Sequence, residues 1–157
     1  MGDYLSQVNS GWFYLIVALV LILFTGSKPG AKSPEKAAEN LVTAYCNFDA
    51  KALVNCWPDF YVEEEFGSRE LAIKELAEEA KDAERFTYKI LSITRETDTS
   101  DALEWLADLA DEYDSAVLSK IKDWCTVNVD VQMDFDLEEF QVFCIKYSDR
   151  WYALDFD

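Results

Sequence analysis

The sequence predicts an α+β domain in which a curved antiparallel sheet packs on N-terminal helices, preceded by one transmembrane helix. Residues 126–156 contain three stretches with the apolar pattern of β-strands, separated by short polar segments. Residues 33–83 show apolar positions at helical spacing, and residues 12–24 are apolar without a break. Because a small antiparallel sheet must cover its apolar face, we expect the helices to supply that cover.

The C-terminal segment predicts a three-stranded meander. In its first strand every second residue is apolar, the period of a strand with one buried face, and these residues are Val127, Val129, Val131, Met133 and Phe135. Residues 134–138, which carry alternating carboxylates, are expected to form a polar hairpin turn. Residues 140–147 carry apolar side chains on both faces, which predicts the middle strand, and residues 151–156 close the meander.

Three helix starts are predicted in the N-terminal half of the domain. Ser33 is typical of a residue that caps a helix N-terminus, and Asp49 is expected to cap a second, short helix. Pro58 is expected to end that helix, and residues 60–66 are then interpreted as an acidic loop. Ser68 is expected to cap a third helix.

Two further elements are predicted between these helices and the meander. Residues 86–96 alternate as a strand, with Tyr88 and Ile90 on one face and Ile93 on the other. Residues 101–123 return to a helical period and predict a helical insert, with apolar positions at Leu103, Leu106, Ala110, Tyr113, Val117 and Ile121. The many acidic residues in the first half of this insert are interpreted as a solvated face.

The N-terminal part of the chain predicts a single-pass membrane anchor. Residues 1–11 are short and polar, residues 12–27 are expected to form the transmembrane helix, and residues 28–32 have the composition of a linker. The alternatives are a buried core helix or a cleaved signal peptide, but no basic residue precedes the apolar run as a signal peptide requires. Residues 33–157 are expected to form the α+β domain.

The charge of the chain restricts its partners. The formal net charge is −17, and Asp3 and Lys28 cancel, so residues 29–157 carry all of it. A domain this acidic repels nucleic-acid phosphate and anionic lipid, so we expect no nucleic-acid partner. Two interpretations of the acidity stay open: it keeps the domain soluble and away from the membrane surface, or it attracts a basic or cationic partner.

The residues available for catalysis and metal binding are also restricted. The chain has no histidine, which excludes Ser-His-Asp and Cys-His catalysis and His-ligated metal sites. Its cysteines form no Cys-x-x-Cys pair, so neither a zinc site nor a thioredoxin-type motif is indicated, and no cofactor is expected. They could form two disulfides or serve as small core residues, which is the interpretation we favour, and they are Cys46, Cys56, Cys125 and Cys144.

Two stretches resemble a known fold. The first contains Ser33-Pro34-Glu35, Ala44-Tyr45 and Phe48-Asp49, and the second is Asp149-Arg150-Trp151-Tyr152. Together with the order of elements, they resemble the nuclear transport factor two-like (cystatin-like) fold, and more narrowly small bacterial membrane-anchored or lipoprotein-type domains of unknown function. The resemblance implies a cone-shaped domain in which a curved sheet wraps around helices. Isomerases, dehydratases, transport factors and binding modules share this fold, so it does not decide the function.

The function expected from the sequence is that of a membrane-anchored, non-catalytic binding or interaction module. The alternative is a small isomerase or hydrolase with a carboxylate in the apolar cone, which an enclosed pocket containing a desolvated carboxylate would favour. A set of large rings either fills the core or lines an apolar pocket for a small apolar or aromatic ligand. These candidate ligand-binding residues are Trp57, Phe60, Tyr61, Phe66, Trp105, Trp124, Trp151 and Tyr152.

Two signals disagree on the membrane orientation. Lys28, Lys32 and Lys36 follow the apolar run and no basic residue precedes it, which favours a cytoplasmic C-terminal domain. The resemblance to anchored extracytoplasmic bacterial domains implies the opposite. We expect the domain to lie outside the cytoplasm, at the cell membrane.

Overall fold

The computed structural model describes residues 28–156, which form helices packed on one four-stranded antiparallel sheet, and the predicted α+β class is confirmed. In chain order the elements are α1 (Pro34–Cys46), α2 (Ala50–Val54), α3 (Asp59–Phe66), α4 (Arg69–Glu79), a 3₁₀ turn (Ala80–Asp82), β1 (Tyr88–Arg95), α5 (Ser100–Glu112), α6 (Ser115–Leu118), β2 (Ile121–Met133), β3 (Asp136–Tyr147) and β4 (Arg150–Phe156). The strand order is β1-β2-β3-β4, so each strand pairs with its neighbour in the chain.

The predicted N-terminal segment 1–11 and transmembrane helix 12–27 lie outside the described residues. Within residues 28–156, none of the helices has the length and apolar character needed to cross a membrane.

The three predicted helix caps are confirmed. The hydroxyl of Ser33 accepts the backbone N–H of Lys36 at 3.2 Å at the start of α1. The carboxylate of Asp49 accepts the N–H of Ala52 at 2.9 Å, and the hydroxyl of Ser68 accepts that of Leu71 at 3.2 Å. Each bond satisfies a backbone donor that has no partner inside its helix, and local sequence alone therefore decides where these helices begin.

The acidic loop expected at residues 60–66 is wrong, because these residues form helix α3. α2 already ends at Val54 with Asn55 as its C-cap, and Pro58 occupies the N-cap position of α3, where Asp59 in the first turn complements the helix dipole. Gly67 ends the helix with φ of 78°, a left-handed conformation that glycine adopts without a Cβ clash. Pro58 was interpreted only as a stop, although proline is equally suited to a helix start.

The helical insert is shorter than expected, and β2 is longer. Residues 121–123, predicted to be the end of the helical insert, belong to β2, where Ile121 pairs with Tyr147 and Asp123 with Lys146. Pairing with β3 thus overrides the local helical spacing. The hairpin turn expected at residues 134–138 is confined to Asp134-Phe135, since Asp136 already pairs with Met133.

A bulge in β1 changes the predicted faces of that strand. The pairing register shifts between Ile90 and Ser92, so one extra residue separates the two paired segments. Ile93 consequently packs on the same core as Tyr88 and Ile90, and not on the opposite face as strict alternation predicted.

β3 is buried on both faces, which divides the apolar side chains into two cores. The first core lies between the sheet and α1–α4, and Val142 and Cys144 of β3 belong to it. The second core lies under α5 on the opposite face, and contains Phe143 and Ile145 of β3 with Leu109 of α5. The helical insert is therefore the cover of the second face.

The segment predicted as a linker, residues 28–32, is packed on the domain. Ala31 forms a β-bridge with Trp151, with N–H···O distances of 2.7 and 3.0 Å, and Arg150 donates to the carbonyl oxygen of Gly30 at 2.6 Å. Gly30 has φ of 79°, and a Cβ atom there would lie 2.9 Å from the carbonyl oxygen of Trp151. Only glycine fits this close approach. The segment therefore pairs with the outer edge of β4 at Trp151.

We expect Trp151→Ala to lower the free energy of unfolding by about 3–5 kcal/mol, the usual cost of removing a buried aromatic side chain. Trp151 is 6% exposed in the first core, whereas Phe135 at the hairpin turn is 98% exposed. Phe135→Ala is the control and should change stability by less than about 0.5 kcal/mol. Urea denaturation of both variants measures the difference, and equal effects would contradict the assignment of Trp151 to the core.

Candidate functional site

The predicted aromatic residues lie on both faces of the sheet and do not form one pocket. Trp57, Phe66 and Trp151 pack in the first core. Tyr61 packs against both cores. The remaining four rings pack in the second core, and they are Phe60, Trp105, Trp124 and Tyr152.

The rings of the first core fill the space between the helices and the sheet. Trp57 stacks on Phe66 with a centroid distance of 5.8 Å and an interplanar angle of 11°, and contacts Tyr61 at 5.5 Å. Trp57 and Trp151 are 9% and 6% exposed. These side chains therefore contribute to packing, as the core interpretation of the rings expects.

The second face has a surface groove, which we call the acid–aromatic groove, with a volume of 250 Å³. Its floor is apolar and consists of Phe143 and Leu154 from the sheet with Leu109 from α5. Two of the predicted rings, Tyr61 and Trp105, line it. Carboxylates from three elements complete the lining, and they are Glu65, Asp108, Glu112 and Asp155.

Helix periodicity places these residues together. Trp105, Asp108, Leu109 and Glu112 occupy positions i, i+3, i+4 and i+7 of α5, which lie along one side of a helix. Tyr61 and Glu65 are similarly one turn apart on α3. Trp105 contacts the floor directly, with its ring centroid 5.3 Å from that of Phe143. The groove is thus built between α3 and α5, over the β3 and β4 residues that form its floor.

Asp155 reaches the groove because of a bulge in β4. The register between β3 and β4 shifts between Phe143 and Cys144, so that Asp155 pairs with Phe143 and Ala153 with Cys144. Leu154 is the additional residue and, like Phe143, packs in the second core. The bulge therefore brings Leu154 and Asp155 to the same side of the strand.

The groove carboxylates have no cationic neighbour to pair with. Four ion pairs join side chains of residues 28–156, and none of them includes a carboxylate of the groove. The lining of the groove contains no lysine or arginine. The groove therefore combines a negative rim with an apolar, aromatic floor, an arrangement suited to an organic cation.

The negative rim also acts on the nearby phenols. Burial raises the pKa of Tyr61 to about 12, and the charges of Asp155 and Glu65 add to the effect. Burial likewise raises the pKa of Tyr113 to about 12, with contributions from Glu65 and Glu112. The hydroxyl of Tyr113 is buried and has no hydrogen-bond partner among the described residues.

The four carboxylates of the groove were not among the residues predicted from the sequence. Asp108 and Glu112 were assigned to a solvated face, although their spacing from Trp105 and Leu109 was visible in the sequence. Glu65 was missed because its helix was interpreted as a loop. Asp155 carries no local signal, since its position depends on the bulge in β4.

The cysteines belong to the cores and form no metal site. All four are free and buried, and residues 28–156 contain no cluster of acidic or sulfur ligands that could hold a metal ion. Burial raises the pKa of the Cys56 thiol to about 12 and that of the Cys125 thiol to about 11. Such thiols are protonated at neutral pH, which makes them poor nucleophiles.

Cys125 and Cys144 lie directly opposite each other on β2 and β3 but are poorly placed for a disulfide. The carbonyl oxygen of Thr126 accepts the N–H of Glu96, on the β1 side, so the backbone groups of Cys125 point toward β3. The two cysteines therefore form a hydrogen-bonded pair, in which Cβ atoms lie about 5.5 Å apart, beyond the roughly 4.5 Å that a disulfide accommodates.

Comparison of the chain with protein-family models, curated proteins and solved structures gave no match. The function is therefore argued from the geometry and charge of the groove.

We expect stability to fall between about pH 10 and about pH 12, because the neutral phenol of Tyr61 is favoured in the folded state. A folded-state pKa raised from 10.0 to about 12 gives stability that is complete below pH 10 and is lost as the pH rises toward 12. Tyr61→Phe removes this titration, so the variant should lose less stability over the range than the unaltered protein does. Urea denaturation at about pH 8 and about pH 11.5 measures the loss.

Tyr45→Phe provides the control for this measurement, since the Tyr45 side chain is 40% exposed and lies outside the groove. Thiol ionisation contributes to the alkaline loss in every variant and cancels in the comparison. An equal loss in Tyr61→Phe and in the unaltered protein would show that the Tyr61 hydroxyl is not desolvated.

Proposed function

We propose that this chain is a membrane-anchored, non-catalytic binding module that binds an organic cation with an apolar or aromatic body in the acid–aromatic groove. The observation that carries the proposal is the meeting of four unpaired carboxylates with two aromatic rings over an apolar floor. The ligand class combines the apolar or aromatic ligand expected from the rings with the cationic partner that the acidity favours.

The physical basis of binding is the sum of three terms. A cation near the faces of Tyr61 and Trp105 is attracted by the ring quadrupoles, by about 0.5–2 kcal/mol for each favourable contact. Coulomb attraction to the carboxylates adds to this and decreases as salt screens it. Burial of the apolar body of the ligand on Phe143 and Leu154 contributes about 25 cal/mol per Å². The groove volume of 250 Å³ is sufficient for a single ring carrying a small ammonium group.

The enzyme alternative has less support. An isomerase of the kind considered requires a carboxylate that is desolvated inside an apolar cavity. Thr126 is the only polar side chain that is fully buried among residues 28–156, so the acidic side chains of this part of the chain remain in contact with water. Side chains of the first core also occupy the space between helices and sheet where such a cavity would lie.

We also propose that the domain belongs to the nuclear transport factor two-like folds. Support comes from the element order, in which helices and one strand precede a helical insert and a three-stranded meander. The three register shifts in the sheet are of the kind that bends strands, as a curved sheet around helices requires. Because first-core side chains pack between the helices and the sheet, ligand binding is assigned to the acid–aromatic groove on the opposite face of the sheet.

The proposed anchor is residues 12–27, with the domain outside the cytoplasm. The apolar run supports the anchor. The packing of residues 28–31 against β4 implies a short, fixed connection between the anchor and the domain. The groove would then be held near the membrane surface, where it could meet ligands outside the cell.

A cationic aromatic probe tests the groove. We expect benzyltrimethylammonium to bind the full-length protein in neutral detergent and uncharged benzyl alcohol to bind more weakly. The double variant Asp108→Asn with Glu112→Gln should raise the Kd of the cation by about tenfold, the equivalent of about 1.4 kcal/mol. Isothermal titration calorimetry measures the affinities, and high salt should weaken binding of the cation.

The matched control for this test is the double variant Glu104→Gln with Asp111→Asn. Both residues are exposed acids of α5 that do not line the groove, so the change in net charge is the same. Equal loss of affinity in the two double variants, or no binding by the unaltered protein, would contradict the proposed site.

The anchor is tested by membrane extraction. We expect the full-length protein to remain in the membrane pellet after an alkaline carbonate wash, because an apolar helix of this length is retained by the bilayer. A truncated chain that begins at Lys28 should be soluble and folded, since it keeps the bridge between Ala31 and Trp151. Recovery of the full-length protein in the soluble fraction would contradict the anchor.

The orientation is read with reporter fusions at Asp157. An alkaline phosphatase fusion should be active and a reporter that requires the cytoplasm should be silent. The opposite pattern would show that Lys28, Lys32 and Lys36 determine the orientation, as the positive-inside rule states.

A further inference from the structure

We propose that the end of the β2–β3 hairpin is a second binding surface, which docks a basic amphipathic helix of a partner protein. Its most exposed apolar side chain is Phe135, 98% exposed at the turn. The chain neighbours of Phe135, Asp134 and Asp136, line a groove of 350 Å³, which we call the hairpin groove. The acid–aromatic groove shares no residue with this surface, so the inference goes beyond the proposed function.

The floor of the hairpin groove is formed by large apolar side chains from three segments of the chain. Tyr45 comes from the last turn of α1, Met133 and Phe140 from the hairpin, and Phe86 from the segment before β1. Tyr45 is 40% exposed, so part of this apolar surface is in water. Contiguous exposed apolar surface at a groove is typical of a protein interaction site.

The floor is held in place before any partner binds. Tyr45, Phe140 and Phe156 pack edge to face, with centroid distances of 6.0, 5.0 and 5.2 Å for the three pairs. Aromatic pairs in this geometry are favourable beyond the area that they bury. Because these rings are already ordered, a ligand that binds them loses little free energy in fixing side chains.

The turn that presents Phe135 is also fixed. Asp134 has φ of 51°, and its N–H donates to the carbonyl oxygen of Thr87 at 2.8 Å. Its carboxylate accepts the N–H of Thr87 at 2.9 Å and the hydroxyl at 2.8 Å. Phe135 is therefore presented to solvent by an ordered turn.

The negative charge at the rim of the hairpin groove indicates which kind of partner segment fits it. The rim of the hairpin groove consists of Asp134, Asp136 and Glu138, and its lining has no lysine or arginine. An acidic rim around an apolar floor is complementary to a segment with apolar anchors and flanking Lys or Arg side chains.

The position of the hairpin groove favours a helical partner segment. An extended peptide gains affinity by adding to an exposed sheet edge. The hairpin groove lies on a face of the sheet, since its β3 residues Asp136, Glu138 and Phe140 alternate on one side of that strand, and an occupant therefore meets side chains. A helix satisfies its own backbone groups and contributes only side chains, as calmodulin-type and other helix-in-groove complexes do.

The test uses a synthetic helical peptide of leucine and lysine, roughly 18 residues or five turns long, with leucine on one face. A fluorescent form of it is titrated with the full-length protein in neutral detergent, with detergent alone as the blank. We expect it to bind more tightly than a peptide of scrambled order, which has the same charge without an apolar face. Phe135→Ser and the double variant Asp136→Asn with Glu138→Gln should each raise the Kd by at least about tenfold.

The matched controls lie on α4, outside the hairpin. Leu71→Ser removes another exposed apolar side chain, 55% exposed, and Glu70→Gln with Glu75→Gln makes the same charge change. Both controls should leave the Kd within about twofold of the unaltered protein. Phe135 is almost fully exposed, so its removal should leave the fold intact, which a thermal melt verifies.

Four results would overturn the proposal. They are equal binding of the scrambled peptide, an equal effect of the control variants, no effect of the hairpin variants, or no binding at all. Loss of binding in the hairpin variants with retained binding of benzyltrimethylammonium would show that the two surfaces are independent.

Discussion

The burial of β3 on both faces is the constraint on which the rest of the structure depends. Its inner position between β2 and β4, with apolar side chains alternating to both sides, requires two covers. The helices α1–α4 cover one face, and α5 covers the other. A sheet with one cover would leave Phe143 and Ile145, now 1% and 0% exposed, in water. The acid–aromatic groove lies between α5, the main cover of the second face, and α3, whose Phe60 and Tyr61 also pack in the second core.

The parts of the fold that local chemistry determines could be predicted from the sequence. Ser33, Asp49 and Ser68 each satisfy a backbone donor within their own helix, and the predictions at these residues are confirmed. The predictions failed where a distant partner decides the conformation. Ile121 has helical spacing from its neighbours but pairs with Tyr147. The alternation of apolar residues in β1 gives no sign of the bulge beside Ile90.

The candidate site could be predicted only in part. Trp151 and Tyr152 are consecutive in a strand, so alternation alone places them on opposite faces and separates two members of the proposed ring set. The stripe of Trp105, Asp108, Leu109 and Glu112 was present in the sequence as helical spacing. What the sequence could not show was that this stripe faces Tyr61 and Glu65, because that contact depends on α5 folding across the second face.

The acidity of the chain has a specific consequence at the acid–aromatic groove. Carboxylates repel one another and lower the stability of a compact domain, and the repulsion is weakest where each charge faces water. The four groove carboxylates are exposed to water, yet they surround rings and aliphatic side chains that water solvates poorly. A ligand with a positive charge and an apolar body would reduce the repulsion between the carboxylates of the rim and would cover the apolar side chains of the floor. Repulsion among the groove carboxylates would therefore add to the affinity for such a ligand, whereas a neutral ligand would gain only the apolar part of that affinity.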